Sequence, residues 1–256
     1  MLIFGFGFIF LMTSLGAALV LFFRKISRKT NAILFAFASG VMIAASVWSL
    51  LLPSIEQAGV EWGKFALVPV LVGFIVGGTI FVFFGVLSRK INRVEQAESG
   101  ERLSLSRIRR LFLSVTLHNI PEGLAVGFAF GAAAVQGTAA AYASALALSI
   151  GIGLQNFPEG AAVALPLRRY YGRRKAFLFG VLSGAPEPCF AVLGYFTAAK
   201  LIVLQPWFLS FAAGAMLFVV ANDLIPVSSQ EGDKFSCGLW VMIGFALMMA
   251  LDVALG

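Results

Sequence analysis

The sequence predicts an all-α, polytopic membrane protein with eight transmembrane helices. Three observations predict it. The 256 residues are 60% hydrophobic and 12% charged, about half the charged share of a soluble domain. Mean hydropathy is +0.94. The apolar residues fall into runs of about 20, the length that crosses a bilayer as a helix. The spans are placed at about 2–23, 31–52, 65–87, 108–132, 140–166, 174–199, 205–227 and 236–255. They use up the chain, so residues 1–256 form a single transmembrane domain.

The first span has no basic residues ahead of its apolar run and is expected to be retained rather than cleaved as a signal. Arg24, Lys25, Arg28 and Lys29 follow it, before span two. Glu56 and Glu61 sit between spans two and three, where surface carboxylates could gather cations at an entrance. Span three carries Gly73 and Gly77, a spacing that permits close helix contact. The stretch 88–107 reads as a cytoplasmic loop at the membrane surface. It mixes Glu95, Glu98 and Glu101 with basic residues, and it could be a short helix or disordered; it holds no histidine. Spans four and five carry the chemistry described below, and Ala143, Ala147 and Gly151 repeat every four residues along span five. Arg168, Arg169, Arg173, Arg174 and Lys175 separate spans five and six. Span six is interrupted by SGAPEPC, with Glu187 between Pro186 and Pro188. Span seven ends near Asn222 and Asp223, a possible exit path. Lys234 precedes span eight.

Seventeen of the 19 Lys and Arg residues fall in the odd-numbered connections or at the span ends that border them. Basic residues favour the cytoplasmic side, so those connections are placed inside and both termini outside. The pI of 9.8 therefore reflects orientation, and nucleic acid is excluded as a partner. Cys189 and Cys237 lie within or at the edge of spans and suggest no disulfide framework.

Two segments are near-copies: TLHNIPEGLAVG at 116–127 and GLQNFPEGAAVA at 153–164. Each buries Asn-x-Pro-Glu-Gly in an apolar run. A carboxylate at the bilayer centre costs about 3 kcal/mol on insertion scales, and such groups mark function. Residues four apart share a helix face, so the only histidine, His118, aligns with Glu122, and Gln155 with Glu159. Asn119 and Asn156 stand beside those faces. Spans four and five run in opposite directions and bring both motifs to similar depth, an inverted repeat with its site at the repeat interface. Pro121 and Pro158 each remove a helical N–H and clash with the carbonyl four residues back, which predicts a kink and a freed carbonyl in each span. Mixed nitrogen and oxygen donors suit borderline divalent ions such as Zn²⁺, Fe²⁺, Mn²⁺ or Cd²⁺. Protons compete with metal for such donors. The structural alternative is that His118, Gln155 and the asparagines only bond across helices.

HNIPEG, QNFPEG, the APEP segment and the eight-span plan resemble the ZIP (Zrt/Irt-like) divalent metal transporters, and most of all the GufA-type bacterial branch. The resemblance covers essentially the whole chain. It implies uptake of divalent transition-metal cations, usually zinc, toward the cytoplasm across a bacterial inner membrane. It implies an elevator-like motion of spans one, four, five and six against the others, and a homodimer. It also implies a binuclear site, with His118, Glu122, Gln155 and Glu159 at one position and Asn119, Glu122, Asn156, Glu159 and Glu187 at the other. Gln155 stands where many members have His, and Asn156 where some have Asp; both changes weaken the donors. The transported ion is substrate, and no prosthetic group is expected. A passive channel is the alternative carrier-free reading. An intramembrane metalloenzyme is a further alternative, but no HExxH motif is present and the protein is not expected to be an enzyme.

Overall fold

The computed structural model describes residues 1–23, 27–93, 100–198 and 202–255. The side chains of His118 and of residues 84–111 are among those that lie outside the description. The described residues are helical, with no strand. Ten α-helices follow in order: α1 Leu2–Phe22, α2 Arg28–Ala45, α3 Leu52–Trp62, α4 Leu67–Arg93, α5 Gly100–Gln136, α6 Ala139–Gly184, α7 Pro186–Ala198, α8 Gln205–Val219, α9 Ile225–Glu231 and α10 Lys234–Leu255. Among the described residues, five stretches are long and apolar enough to cross a membrane: Leu2–Phe22, Arg28–Phe65, Tyr170–Ala198, Gln205–Gln230 and Lys234–Ala254. Ile3 and Phe22 on α1, Phe196 on α7 and Met242 on α10 point outward, a coat of large apolar side chains that suits lipid and not water.

The helix boundaries follow local chemistry. Ser27 caps α2 by accepting from the Thr30 N–H, and Thr138 caps α6 by accepting from the Ala141 N–H; such side chains satisfy N–H groups that the helix itself leaves unpaired. Gly137 (φ 66°) turns the chain between α5 and α6, a conformation that strains any residue with a Cβ. Gly172 (φ 74°) divides α6 into two rods; the second, continued by α7, lies in the apolar stretch Tyr170–Ala198. Two π-helical turns, Ser46–Leu51 and Val220–Leu224, join α2 to α3 and α8 to α9. Each is followed by a proline at the second residue of the next helix, Pro53 and Pro226, whose missing N–H and bulky ring fit a widened turn.

Part of the stretch expected as a loop, 88–107, is helix: α4 continues to Arg93 and α5 begins at Gly100. Glu95 and Glu98 fall outside the described residues.

The helices pair through glycines. α1 packs mainly on α6, α5 on α7, α2 on α10 and α4 on α8. A Cβ on Gly16 would overlap the Phe157 carbonyl, and one on Gly160 the Thr13 carbonyl. The same reciprocal contact joins Gly40 with Val241 and Gly244 with Phe37, and joins Gly77 with Phe211 and Gly214 with Phe74. Gly73 also faces α8, against Ser210 and Trp207, so the predicted small-residue pair of span three is a helix contact. Two sets result: α1, α5, α6 and α7 in one, the remaining helices in the other. Met42, Leu50, Leu209, Met216, Leu224 and Met248 form the apolar core with Ala125 and Ala162, between the sets. Both cysteines are free, Cys189 exposed and Cys237 buried.

Candidate metal centre

α5 and the first rod of α6 carry the paired motifs without interruption, with Pro121 and Pro158 inside them. The predicted kinks therefore do not break either element. Glu122 stands about four turns and Gln155 about five turns from the connection at Gly137, so the antiparallel copies meet at similar depth. Gln155 Nε2 donates to Glu122 Oε1 across the pair. Glu122 lies within electrostatic reach of Glu159 and Glu187, and Asn156 stands beside Glu122 and Glu187. Glu187 sits in the first turn of α7, placed there by the break at Ala185, whose N–H bonds back to Leu182. Gly123 and Gly127 lie over the carbonyls of Glu187 and Ala191, so α5 and α7 touch backbone to backbone at the site.

Asn119, Glu122, Gln155, Asn156, Glu159 and Glu187 are all buried, none more than 1% exposed. His118 lies on α5 one turn before Glu122, and its side chain is outside the described residues. The amides are oriented by their own bonds. Asn119 Nδ2 donates to the Ser183 carbonyl at 2.8 Å, which leaves Asn119 Oδ1 free to act as a donor oxygen. Gln155 is fixed in the same way through Nε2. Asn119 Oδ1, Gln155 Oε1, Asn156 Oδ1 and Glu187 Oε2 have no hydrogen-bond partner. A buried oxygen left without a partner costs about 1–3 kcal/mol, and four in one place call for a ligand. Among the described residues, no three of His, Cys, Asp and Glu close on one point by themselves; the Gln155 and Asn156 carboxamides lie beside Glu122.

Thr13 was missed in the sequence. It is fully buried on α1 and donates to Glu187 Oε1 at 2.7 Å. A hydroxyl in an apolar run close to Gly16 was the available signal. Asp252 was missed as well, although it is an ionisable residue within the predicted eighth span. Its Oδ1 accepts from Ser49 on the first π-turn. Glu56, Glu61, Asp252, Ser49 and Gln136 line a cavity of about 750 Å³ at the α5–α6 connection, between the two helix sets. Glu56 and Glu61 thus share one vestibule. Asn222 and Asp223 do not join the buried cluster. They sit on the second π-turn, where Asn222 is exposed and its Nδ2 donates to Asp223 Oδ1 at 2.9 Å.

The ZIP zinc transporter family model matches residues 88–252. The chain is 36% identical to zinc transporter ZIP11 of Homo sapiens, over 96% of this chain and 94% of that protein. It is 35% identical to zinc transporter ZIPB of Bordetella bronchiseptica, over 96% and 79%, and 34% identical to zinc transporter GufA of Myxococcus xanthus, over 95% and 94%.

Proposed function

The chain belongs to the ZIP zinc transporter family, and on that premise we propose that it carries divalent transition-metal ions, zinc first, toward the cytoplasm. Members of the family are transporters and not enzymes. The observation that carries the reading is the set of buried, partnerless oxygens on Asn119, Gln155, Asn156 and Glu187 beside Glu122 and Glu159. Substrate ions would take His118, Glu122, Gln155 and Glu159 at one position, and Asn119, Glu122, Asn156, Glu159 and Glu187 at the other. Cadmium, iron and manganese share that donor chemistry.

The chain would cross a bacterial inner membrane eight times, with both termini outside, and pair as a homodimer. Alternating access would be an elevator-like shift of α1, α5, α6 and α7 against the rest. The pairing supports this: backbone-to-backbone glycine contacts hold helices together within each set, whereas the core between the sets includes flexible methionines such as Met42, Met216 and Met248. Methionine adapts to changing neighbours more readily than branched side chains do. Asn222 and Asp223 would receive the ion on the cytoplasmic side.

The test is uptake of Zn²⁺ and Cd²⁺ into proteoliposomes. Saturable uptake supports the carrier. Uptake that rises without saturation favours a channel instead. No uptake by folded protein refutes transport.

The vestibule makes a separate prediction. Carboxylates at a cleft mouth raise the local cation concentration, and salt screens the effect. The combined substitutions Glu56→Gln, Glu61→Gln and Asp252→Asn should raise the KM for Zn²⁺ roughly tenfold at low salt, with Vmax nearly unchanged. The difference should shrink near 1 M salt, where the Debye length is about 3 Å. An unchanged KM at low salt would rule out a collecting role.

A further inference from the structure

Span one contributes no ligand to the proposed site, yet it reaches into it. The Thr13 hydroxyl has two acceptors in range: Glu187 Oε1 at 2.7 Å and the carbonyl of Ile9, one turn back, at 3.2 Å. A threonine inside a helix ordinarily satisfies itself on that local carbonyl. Here the nearer acceptor is a carboxylate from a helix 174 residues away in the chain.

The backbone leaves Thr13 little freedom. Gly160, the residue after Glu159, lies over the Thr13 carbonyl, and Gly16 lies over the Phe157 carbonyl. α1 is therefore locked to the α6 turn that carries Glu159. On its other side, Thr13 Cβ and Cγ2 and Glu187 Oε1 all come within about 3.0 Å of where a Cβ on Gly184 would stand. Only a glycine at 184 leaves room for the hydroxyl and the carboxylate to meet.

We propose that Thr13 is a positioning residue for metal transport, whose hydroxyl holds Glu187 Oε1 and thereby presents Oε2 to the ion. This rests on the reading of Glu187 as a ligand. The terminal torsion of a glutamate is broad, so an untethered carboxylate would sample many orientations around the site. One donor on one oxygen removes the equivalence of the two. The oxygen turned away from Thr13, Oε2, is the one without a hydrogen-bond partner. Binding an ion then costs less reorganisation, as a pre-placed ligand requires.

The test compares Thr13→Val with Thr13→Ser in the full-length protein, by Zn²⁺ and Cd²⁺ uptake in proteoliposomes and by thermal unfolding in detergent. Valine keeps the shape and removes the hydroxyl; serine keeps the hydroxyl and removes the methyl that packs on Gly184. A positioning role predicts that Val raises KM about tenfold, the size of one hydrogen bond to a charged group, while Ser stays within about twofold of wild type. A packing role predicts the opposite order, with Ser the worse variant in both melting temperature and KM, and that result overturns the proposal. So does an unchanged KM in Thr13→Val. A second measurement guards against general damage. In a Glu187→Ala background, Thr13→Val should add no further change in KM, because the acceptor is already gone; additive effects count against the proposal. Wild-type protein that carries no divalent ion would instead remove the transport reading itself.

Discussion

Replacing Glu122 with glutamine should lower zinc uptake by at least about a hundredfold while leaving the protein folded. Glutamine has nearly the same shape, and its carbonyl can still accept the hydrogen bond that Gln155 now donates to Glu122 Oε1. What is lost is charge. Glu122 is completely buried and has Glu159 and Glu187 as its charged neighbours, so a divalent ion at this depth has few anions to offset its own charge. An ion stripped of water and left partly uncompensated costs several kcal/mol, and breaking a buried ion pair costs about 3–5 kcal/mol. Each 1.4 kcal/mol is a factor of ten, which gives more than a hundredfold. The measurement is initial uptake of Zn²⁺ into proteoliposomes across a wide concentration range, with the melting temperature in detergent as the folding control. Uptake at the wild-type rate from Glu122→Gln would show that the ion does not use this carboxylate.

The sequence carried the class, and marked the polar residues that the fold buries, because hydrocarbon enforces simple rules. A carboxylate in a run like IPEGLAVG has no bland explanation at that depth, so Glu122, Glu159 and Glu187 stood out as charges within apolar runs. Their antiparallel repetition then fixed the common level at which Gln155 meets Glu122. The partners of these groups were harder to read. Thr13 looks like an ordinary polar residue in a membrane helix, and nothing local shows that its hydroxyl reaches a carboxylate on α7. Asn119 was read as a donor beside the active face; that its amide nitrogen is already held by the Ser183 carbonyl depends on the break after α6, a tertiary fact. The π-turns at Ser46–Leu51 and Val220–Leu224 were invisible for a related reason. A widened turn has no composition of its own, and the prolines that follow it suggest only a helix interruption. The charged stretch 88–107 read as loop because mixed charge does not distinguish solvated helix from linker.

The glycines of the paired motif supply the other large effect. Gly160→Val should cost about 3 kcal/mol or more of stability and abolish transport with it. A Cβ at 160 would overlap the Thr13 backbone carbonyl, and at neighbouring Gly16 the same relation holds against Phe157. Overpacking against a side chain is often relieved by a rotamer change and costs about 1–3 kcal/mol. Backbone offers no such escape, so α1 and α6 must separate along their contact. That separation moves Glu159 relative to Thr13 and opens the wall on which Glu187 rests. Gly123→Val should behave alike, because its Cβ would meet the Glu187 carbonyl and push α7 off α5. Gly7 is the internal control. It lies on α1 with nothing within 4 Å of an added Cβ, and Gly7→Ala should stabilise the helix by about 0.5–1 kcal/mol through the lost freedom of the unfolded chain. Thermal unfolding in detergent, read beside uptake, checks all three. If Gly160→Val melted with Gly7→Ala and still carried zinc, the close backbone contact would not be what fixes the helices around the site.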